Sequence, residues 1–263
     1  MKPSRSTGEV LLDCDSDLHS GSVPPNGVRV VEGEASRPRQ ALAWLSMTEP
    51  DPIAATREAY DAVAARYAED IPERYHAEPL NHAMIPVFVE LIRTRGGGSV
   101  ADVGCGPGHV TAHLHALGLS VFGVDLSPEM IVLARSRHPE LRFEVGAMEA
   151  LKVDDAALAG VLANYSIIHT PPERLPEAFA EFHRVLAPGG HLLLGFQAHD
   201  DATEVAESFD HLVSLAYRYS PDHIAGLLLS AGLTEVARLV ISPEEDPRRG
   251  FPQAYLLARR AVN

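Results

Sequence analysis

The sequence has few cysteines, few positive charges and no long apolar run, and each shortage argues against a class of protein. Among 263 residues there are two cysteines, Cys14 and Cys105. Two are too few for a disulfide framework and fit a reducing compartment such as the cytoplasm. The 22 lysines and arginines are outnumbered by 36 acidic residues, giving a formal net charge of −14. This charge repels nucleic-acid phosphates and anionic lipid surfaces, so neither is expected as a partner.

Membrane insertion and secretion are also not expected. No apolar run approaches the roughly 20 residues that span a bilayer. Lys2 and Arg5 lie near the first residue, but no apolar segment follows them as in a secretory signal. Hydrophobic residues make up 46% and charged residues 22%, which is typical of a globular chain with a substantial core.

Residues 1–46 differ from the rest of the sequence. They mix serine, glycine, proline and aspartate without a sustained helical or strand period. Three interpretations stay open: a disordered tail, a mis-annotated extension preceding a start at Met47, or a partly ordered arm over the active site. The stretch GVRVVEG at 27–33 could form a short strand.

Residues 47–98 have a helical pattern and are expected to form an N-terminal helical lid. From Ile53 apolar residues recur at spacings of three and four, and a second helix is predicted over Leu80–Thr94 before the Gly96–Gly98 breaker. Short apolar strands then alternate with helices. The strands are predicted at Ser99–Val103, Ser120–Val124, Arg142–Val145, Gly160–Tyr165 and His191–Phe196. The helices are predicted at His109–Leu117, Pro128–His138, Glu173–Leu186 and Pro221–Ala231, with a short helical segment near Ala147–Leu151.

This alternation predicts an α/β fold, a doubly wound, mostly parallel Rossmann-like sheet with helices on both faces. Two late strands, near Glu235–Ile241 and Gln253–Arg259, have no helix between them and can pair as an antiparallel hairpin. In such sheets ligands bind at the carboxyl ends of the strands. The core is therefore assigned to residues 99–263, with a substrate-side insertion near 198–220.

A glycine-rich turn follows the first strand. In VADVGCGPGHVTAHL, Gly104, Gly106 and Gly108 form G-x-G-x-G between a strand and a helix. Glycines allow positive φ and close approach of a ligand to the backbone. The spacing is not the G-x-G-x-x-G of dinucleotide binders. Asp102, two residues before the first glycine, would repel a pyrophosphate but suits a cationic cofactor with an α-amino group.

A second carboxylate lies at the end of the next strand. Asp125, in VFGVDLSPEMI, comes about 20 residues after the glycine turn, where a carboxylate can accept hydrogen bonds from both ribose hydroxyls. Ser127 is predicted to cap the following helix, with Pro128 at its first position. The alternative is that Asp102 and Asp125 are only capping or surface acids.

With these motifs the sequence resembles the class I S-adenosylmethionine-dependent methyltransferases that act on small molecules, of the type 11 sort. VADVGCGPG resembles the family's first motif, FGVDLSPEMI its second, and RVLAPGGHLLLGF its fifth-strand region. YSIIHTPPE resembles the loop after the fourth strand. The resemblance implies a seven-stranded sheet with an antiparallel last strand and S-adenosylmethionine as cofactor.

The resemblance also implies roles for individual residues. Gly104, Cys105 and Gly106 would lie along the methionine part, Asp125 on the ribose, and Leu126 and Met130 around adenine. The family often has an acidic residue that contacts the adenine amine, but Ala147 stands at that position here. The backbone around Ala147 and Met148 would contact adenine instead, with Glu149 as an alternative partner. Ala163 and Asn164 would lie beside the methionine end. A lid tyrosine would reach the cofactor carboxylate, with Tyr67 a better candidate than Tyr60.

His169 is the candidate general base, since it follows the fourth strand and a histidine titrates near neutral pH. Its alternative role is to cap or pack the loop Thr170–Pro172. Tyr165 and Gln197, at the ends of adjacent strands, are expected to shape the acceptor pocket, with His211, His199 and Asp200 of the insertion as further candidates. His109 and His113 are interpreted as helix-surface residues, and no metal site is expected.

Three functions remain open on the sequence alone. The first is methyl transfer to a small-molecule acceptor, at an oxygen, nitrogen or carbon atom. The second is an S-adenosylmethionine-binding protein without catalysis. The third is an NAD-type oxidoreductase, which the glycine spacing and Asp102 disfavour. The oligomeric state is not predicted.

Overall fold

The computed structural model describes residues 51–77, 79–201, 203–211, 213–245 and 250–262. The expectations for residues 1–46 and the start at Met47 lie outside the described residues. The helices are α1 Pro52–Ala77, α2 Met84–Thr94, α3 His109–Ala116, α4 Pro128–Arg137, α5 Leu175–Val185 and α6 Pro221–Ser230. The strands are β1 Ser99–Val103, β2 Ser120–Asp125, β3 Arg142–Val145, β4 Leu158–Asn164, β5 Leu186–Gln197, β6 Ala206–Asp210, β7 Leu215–Tyr219, β8 Leu233–Ile241 and β9 Gln253–Arg260.

Seven strands form one sheet in the order β3-β2-β1-β4-β5-β9-β8. Strands β1 to β5 pair in parallel, whereas β9 runs antiparallel to both β5 and β8. The reversal between β1 and β4 places a switch point at the carboxyl ends of the central strands, where open α/β sheets bind ligands. The predicted doubly wound sheet with an antiparallel last strand is confirmed.

The strands are apolar on both sides because helices cover both faces of the sheet. On one face, Phe88 and Ile92 of α2 and Leu114 of α3 pack with the sheet residues Leu162 and Leu193. On the other face, α5 and α6 supply a larger cluster that contains Phe179, Phe182, Ile224 and Leu228. Two helices, α1 and α2, lie within the predicted lid. Because α2 covers one face of the sheet, only α1 remains a candidate for it.

The long helix α1 contributes little to either cluster. Among the described side chains of α1, Ala64, Ala68 and Tyr75 are the buried hydrophobic ones. The helix lies against α4, where Arg137 donates a hydrogen bond to the Ala68 carbonyl. In the described part of the chain, no helix combines the length and apolar character that crossing a membrane requires.

Two local predictions were wrong, and one hairpin was not predicted. Ala147–Leu151 is a turn without helix, because five residues are too few to form a stable helix unaided. Leu80–Thr94 is a 3-10 turn at Pro79–His82 followed by α2, not one helix. The insertion near 198–220 contains an antiparallel hairpin, β6–β7, where no strand was predicted.

Candidate functional site

The glycine turn after β1 has three residues with positive φ: Gly104, Gly106 and Gly108. A Cβ on Gly104 would collide with the Cβ of Ser166, and one on Gly108 would lie 2.8 Å from Cζ of Phe143. These two glycines are required for packing. Gly106 differs, because the nearest atom to its Cβ position would be Cε1 of Tyr67, at 3.9 Å. The space beside the Gly106 backbone, under Tyr67 of α1, is where a ligand can approach.

Asp125 is joined to this turn by hydrogen bonds. Its Oδ2 accepts from the backbone N–H of Gly106 at 2.7 Å, and its Oδ1 accepts from the N–H of Ser127 at 2.8 Å. Burial raises the pKa of the Asp125 carboxyl, and the two N–H donors act in the opposite direction. Each carboxylate oxygen can accept further bonds. The carboxylate is thus fixed at the end of β2 beside the glycine turn.

Asp102 lies deeper, at the base of the same turn. It is 1% exposed, and Thr111 of α3 donates a hydrogen bond from Oγ1 to its Oδ2 at 2.6 Å. Burial raises the pKa of Asp102 to about 7, the Thr111 hydroxyl lowers it, and the charge of Asp125 raises it. Asp102 is therefore not a surface acid.

A cavity of about 50 Å³ is lined by Leu126, the residue after Asp125, whereas Asp125 and Asp102 are not among its lining residues. Its lining includes the predicted residues Leu126, Ala147, Met148 and His169, together with Ile53 and Thr56 of α1. Glu149, the alternative adenine partner, also lines it. The structure therefore brings together at one cavity residues from the ends of β2, β3 and β4.

Two of the predicted contact residues have their side chains in apolar clusters, and a third is buried in its helix. Cys105 packs with Ile131 and Phe143 in a small apolar cluster, so only its backbone can face a ligand. Ala163 belongs to the core on the α5 face, and Met130 is 1% exposed within α4.

His169 is held by hydrogen bonds on both ring nitrogens. Nδ1 lies 2.8 Å from the carbonyl oxygen of Leu215, and Nε2 lies 2.9 Å from the hydroxyl of Tyr60. A carbonyl only accepts, so Nδ1 carries the proton and Nε2 accepts from Tyr60. The pKa of His169 is lowered to about 4, mainly by burial and in smaller part by His211, whose ring centroid lies 5.2 Å away. The imidazole is thus neutral at physiological pH.

Sequence reasoning underrated Tyr60 and missed Asp61, its neighbour on α1. Tyr60 packs edge-on against Tyr67, with ring centroids 5.6 Å apart, and bonds His169. Asp61 accepts a hydrogen bond from Oγ of Ser127 at 2.5 Å and from the N–H of Glu129 at 3.3 Å. Ser127 caps α4 as predicted, through a 3.1 Å bond to the N–H of Met130. No sequence signal pointed to Asp61, because its partners lie more than sixty residues away.

The ends of β4 and β5 carry uncharged polar groups. Tyr165 has a φ of +57°, an uncommon value for a tyrosine, and its hydroxyl lies 3.3 Å from Oδ1 of Asn81. Within the described residues, Oδ1 of Asn164 and Oε1 of Gln197 are buried without a hydrogen-bond partner. Buried polar groups are normally paired, so these two are groups that a ligand could satisfy.

His109 and His113 are not simple surface residues. Nδ1 of His113 lies 2.7 Å from the Tyr75 hydroxyl, and the His109 and Tyr75 rings are 5.2 Å apart. They connect α3 to the last described turns of α1.

Comparison with known proteins agrees with this geometry. Residues 100–190 match a family model described as a methyltransferase domain. The malonyl-[acyl-carrier protein] O-methyltransferase of Pectobacterium atrosepticum is 30% identical over 136 residues, which cover 48% of this chain and 53% of that protein. The demethylmenaquinone methyltransferase of Chlorobaculum tepidum is 38% identical over 92 residues, covering 35% of this chain and 37% of that protein. The chain thus spans about half, or less, of these curated relatives.

Solved structures share the fold. The Burkholderia thailandensis 1,6-didemethyltoxoflavin-N1-methyltransferase, with bound 1,6-didemethyltoxoflavin and S-adenosylhomocysteine, is 24% identical with a TM-score of 0.61, covering 79% of this chain and 88% of that one. The magnesium protoporphyrin IX methyltransferase of Synechocystis PCC 6803, with bound SAM, is 18% identical with a TM-score of 0.61, covering 81% and 99%. Residues 100–190, which include the glycine turn, are thus similar to a methyltransferase domain, and the seven-stranded sheet is the fold shared with these solved structures.

Proposed function

We propose that this protein transfers a methyl group from S-adenosylmethionine to a small-molecule acceptor. The observation that carries the proposal is the bonding of the Asp125 carboxylate to the Gly106 N–H at the mouth of the β1–α3 turn. A fixed carboxylate beside an open glycine backbone suits a ligand with a ribose diol next to a cationic group. When bound, the cofactor supplies an electrophilic methyl group on a positively charged sulfur.

The residues around the turn fit this cofactor. Asp125 would accept hydrogen bonds from the ribose hydroxyls, and the Gly106 backbone would lie along the methionine part. Asp102 at the base of the turn suits the α-amino group. Leu126, Ala147 and Met148, which line the cavity, would enclose adenine. Tyr67 and Asn164 would border the methionine end.

The helix α1 would act as a lid. The cavity beneath it, about 50 Å³, is far smaller than the roughly 300–1,000 Å³ of typical ligand pockets. Cofactor entry would therefore require α1 to lift. The helix is suited to this, because it buries little apolar surface and is held by polar contacts such as Asp61 with Ser127.

His169 and Tyr60 would act together on the acceptor side. Because Nδ1 of His169 is held by the Leu215 carbonyl, its lone pair at Nε2 faces the Tyr60 hydroxyl. Because Tyr60 occupies Nε2, a proton from the acceptor would pass to the Tyr60 oxygen while the Tyr60 proton moves to Nε2. A pKa of about 4 makes His169 a weak base for this transfer. In this scheme the main contribution of the pair is to orient the acceptor and exclude water.

The acceptor itself is proposed to be small, and not a nucleic acid. The net charge of −14 disfavours phosphate backbones. Tyr165, Asn164 and Gln197 offer neutral hydrogen-bonding groups, and the β6–β7 hairpin brings His211 to the same side. The free thiol of Cys105 is in keeping with a cytoplasmic enzyme.

The test is release of S-adenosylhomocysteine by the full chain with a panel of phenols, quinols and hydroxylated nitrogen heterocycles. Turnover with one class, lost in Tyr60→Phe/His169→Gln, supports the proposal. Cofactor binding without turnover on any class would indicate a non-catalytic binding protein. Binding of NAD in place of S-adenosylmethionine would revive the oxidoreductase function.

A further inference from the structure

A second cavity lies at the opposite edge of the sheet, near the amino-terminal ends of β4 and β5. It measures about 330 Å³. Its walls are mostly apolar, with glycines at the rim and a single arginine. The lining is Ile92, Arg95, Gly97, Ala159, Ala187, Pro188, Gly189 and Gly190. We call this cavity the amino-edge pocket; none of its lining residues belongs to the candidate methyl-transfer site.

Arg95 lines the amino-edge pocket, and two further basic residues, His191 and Arg259, lie on the neighbouring strands β5 and β9. The guanidinium of Arg95 lies over Gly189, where a Cβ would be 2.8 Å from its Nη1. His191 follows Gly190 and pairs with Arg259 across the antiparallel β5–β9 ladder, so their side chains share one face of the sheet. Gly160 of β4 is aligned with His191, and a Cβ on Gly160 would lie 2.6 Å from Cδ1 of Ile92 on α2. The shared face is therefore the one that α2 covers.

These charges are not neutralised within the protein. Neither Arg95 nor Arg259 forms an ion pair with a carboxylate in the described ranges. His191 is 1% exposed, and its Nδ1 has no hydrogen-bond partner among the described residues. The pKa of His191 is lowered to about 4, first by burial and then by the positive charges of Arg95 and Arg259.

Two unpaired guanidinium groups and a buried imidazole with a free nitrogen form a site suited to an anion. Arginine binds phosphate through paired N–H donors, and a buried nitrogen without a partner is stabilised when a ligand bonds it. The apolar walls formed by Ile92, Ala159 and Ala187 favour a ligand that also has an apolar part.

We propose that the amino-edge pocket binds a phosphate monoester, with the phosphate at Arg95, Arg259 and His191 and a small apolar body against Ile92 and Ala187. The site is independent of the proposed methyl transfer, since it lies at the other end of the strands. Ligand binding there is therefore expected with or without S-adenosylhomocysteine.

Calorimetry at low ionic strength tests the site with three probes: phenyl phosphate, inorganic phosphate and benzyl alcohol. Phenyl phosphate is expected to bind most tightly and inorganic phosphate more weakly, with no heat from benzyl alcohol. Arg95→Gln and Arg259→Gln should each weaken phenyl phosphate binding by about tenfold, the effect of losing one charged hydrogen bond.

Arg142→Gln is the matched control, because Arg142 starts β3 at the same edge of the sheet but three strands lie between β3 and β5. It should leave binding unchanged. The imidazole resonances of His191 should shift on titration with phenyl phosphate and stay fixed with benzyl alcohol. Equal weakening by Arg142→Gln would mean that only overall charge matters. The proposal would be overturned if benzyl alcohol bound as tightly as phenyl phosphate, or if Arg95→Gln bound phenyl phosphate as tightly as wild type. Absence of phenyl phosphate binding at about 10 mM would also overturn it.

Discussion

The hydroxyl of Tyr60 on α1 lies 2.9 Å from Nε2 of His169, in the loop after β4. This hydrogen bond joins the proposed lid to the candidate base, although 109 residues separate the two in sequence. A change in the position of α1 would therefore change the environment of His169 directly.

Removal of the Tyr60 hydroxyl should affect turnover more than cofactor binding. Tyr60→Phe leaves Nε2 of His169 without its donor, and we expect turnover to fall about tenfold or more, with S-adenosylmethionine affinity changed less than about threefold. Release of S-adenosylhomocysteine and calorimetry measure the two quantities. Tyr217→Phe on β7 is the control. Wild-type turnover in Tyr60→Phe would show that the bond has only a packing role.

The Asp61 contact should control how often α1 opens. Asp61→Ala removes the acceptor for Ser127 Oγ and the Glu129 N–H, and hydrogen bonds to a charged acceptor contribute about 1.5–3 kcal/mol each. We expect amide hydrogen exchange in residues 53–66 to speed up by at least about tenfold, the effect of losing one such bond, with exchange in β4 and β5 unchanged. Glu58→Ala, an exposed acid on the same helix, should leave exchange as in wild type. If residues 53–66 exchanged at the wild-type rate in Asp61→Ala, Asp61 would not be the residue that holds α1 closed.

Asp102 should make stability depend on pH. Its pKa in the folded protein is about 7, above its ordinary value of 3.8, because burial disfavours the charged form. The stability that protonated Asp102 contributes is therefore fully present below about pH 3.8 and lost as pH rises through about 7. Asp102→Asn has no such titrating group. Between about pH 3.8 and about pH 7 its free energy of unfolding, relative to wild type, should therefore rise by up to roughly 1.4 kcal/mol per pH unit.

Urea unfolding of both proteins at about pH 5 and about pH 8 measures this effect. The advantage of Asp102→Asn should be larger at the higher pH. An equal difference at the two pH values would mean that Asp102 stays ionised throughout.

Much of the fold was predictable because it depends on local patterns. β1 and β3 have their predicted bounds, and β2 differs by one residue. These strands are apolar runs bounded by glycines and polar residues, so their ends could be read from the sequence. The hairpin β6–β7 was missed because Ala206–Asp210 is mostly polar and half-exposed, so it has no apolar run. Its strands are stabilised by pairing with each other, which no local period encodes.

The candidate site was predictable where it depends on backbone motifs. Gly106 and Asp125 meet because a turn after one strand and a carboxylate after the next share one edge of the sheet. The Tyr60–His169 and Asp61–Ser127 bonds depend instead on where α1 crosses that edge. Tyrosine and aspartate on a helix are ordinary residues, so no pattern distinguished these two in advance.

The most direct test is calorimetric titration of the full chain with S-adenosylmethionine. One molecule per chain should bind, and Asp125→Asn should weaken binding by about tenfold because a neutral amide is a poorer acceptor for ribose hydroxyls than a carboxylate. Asp222→Asn, an exposed acid paired with Arg238, is the control and should bind as wild type. No binding at about 1 mM S-adenosylmethionine, or equal affinity in Asp125→Asn, would contradict the proposed cofactor site.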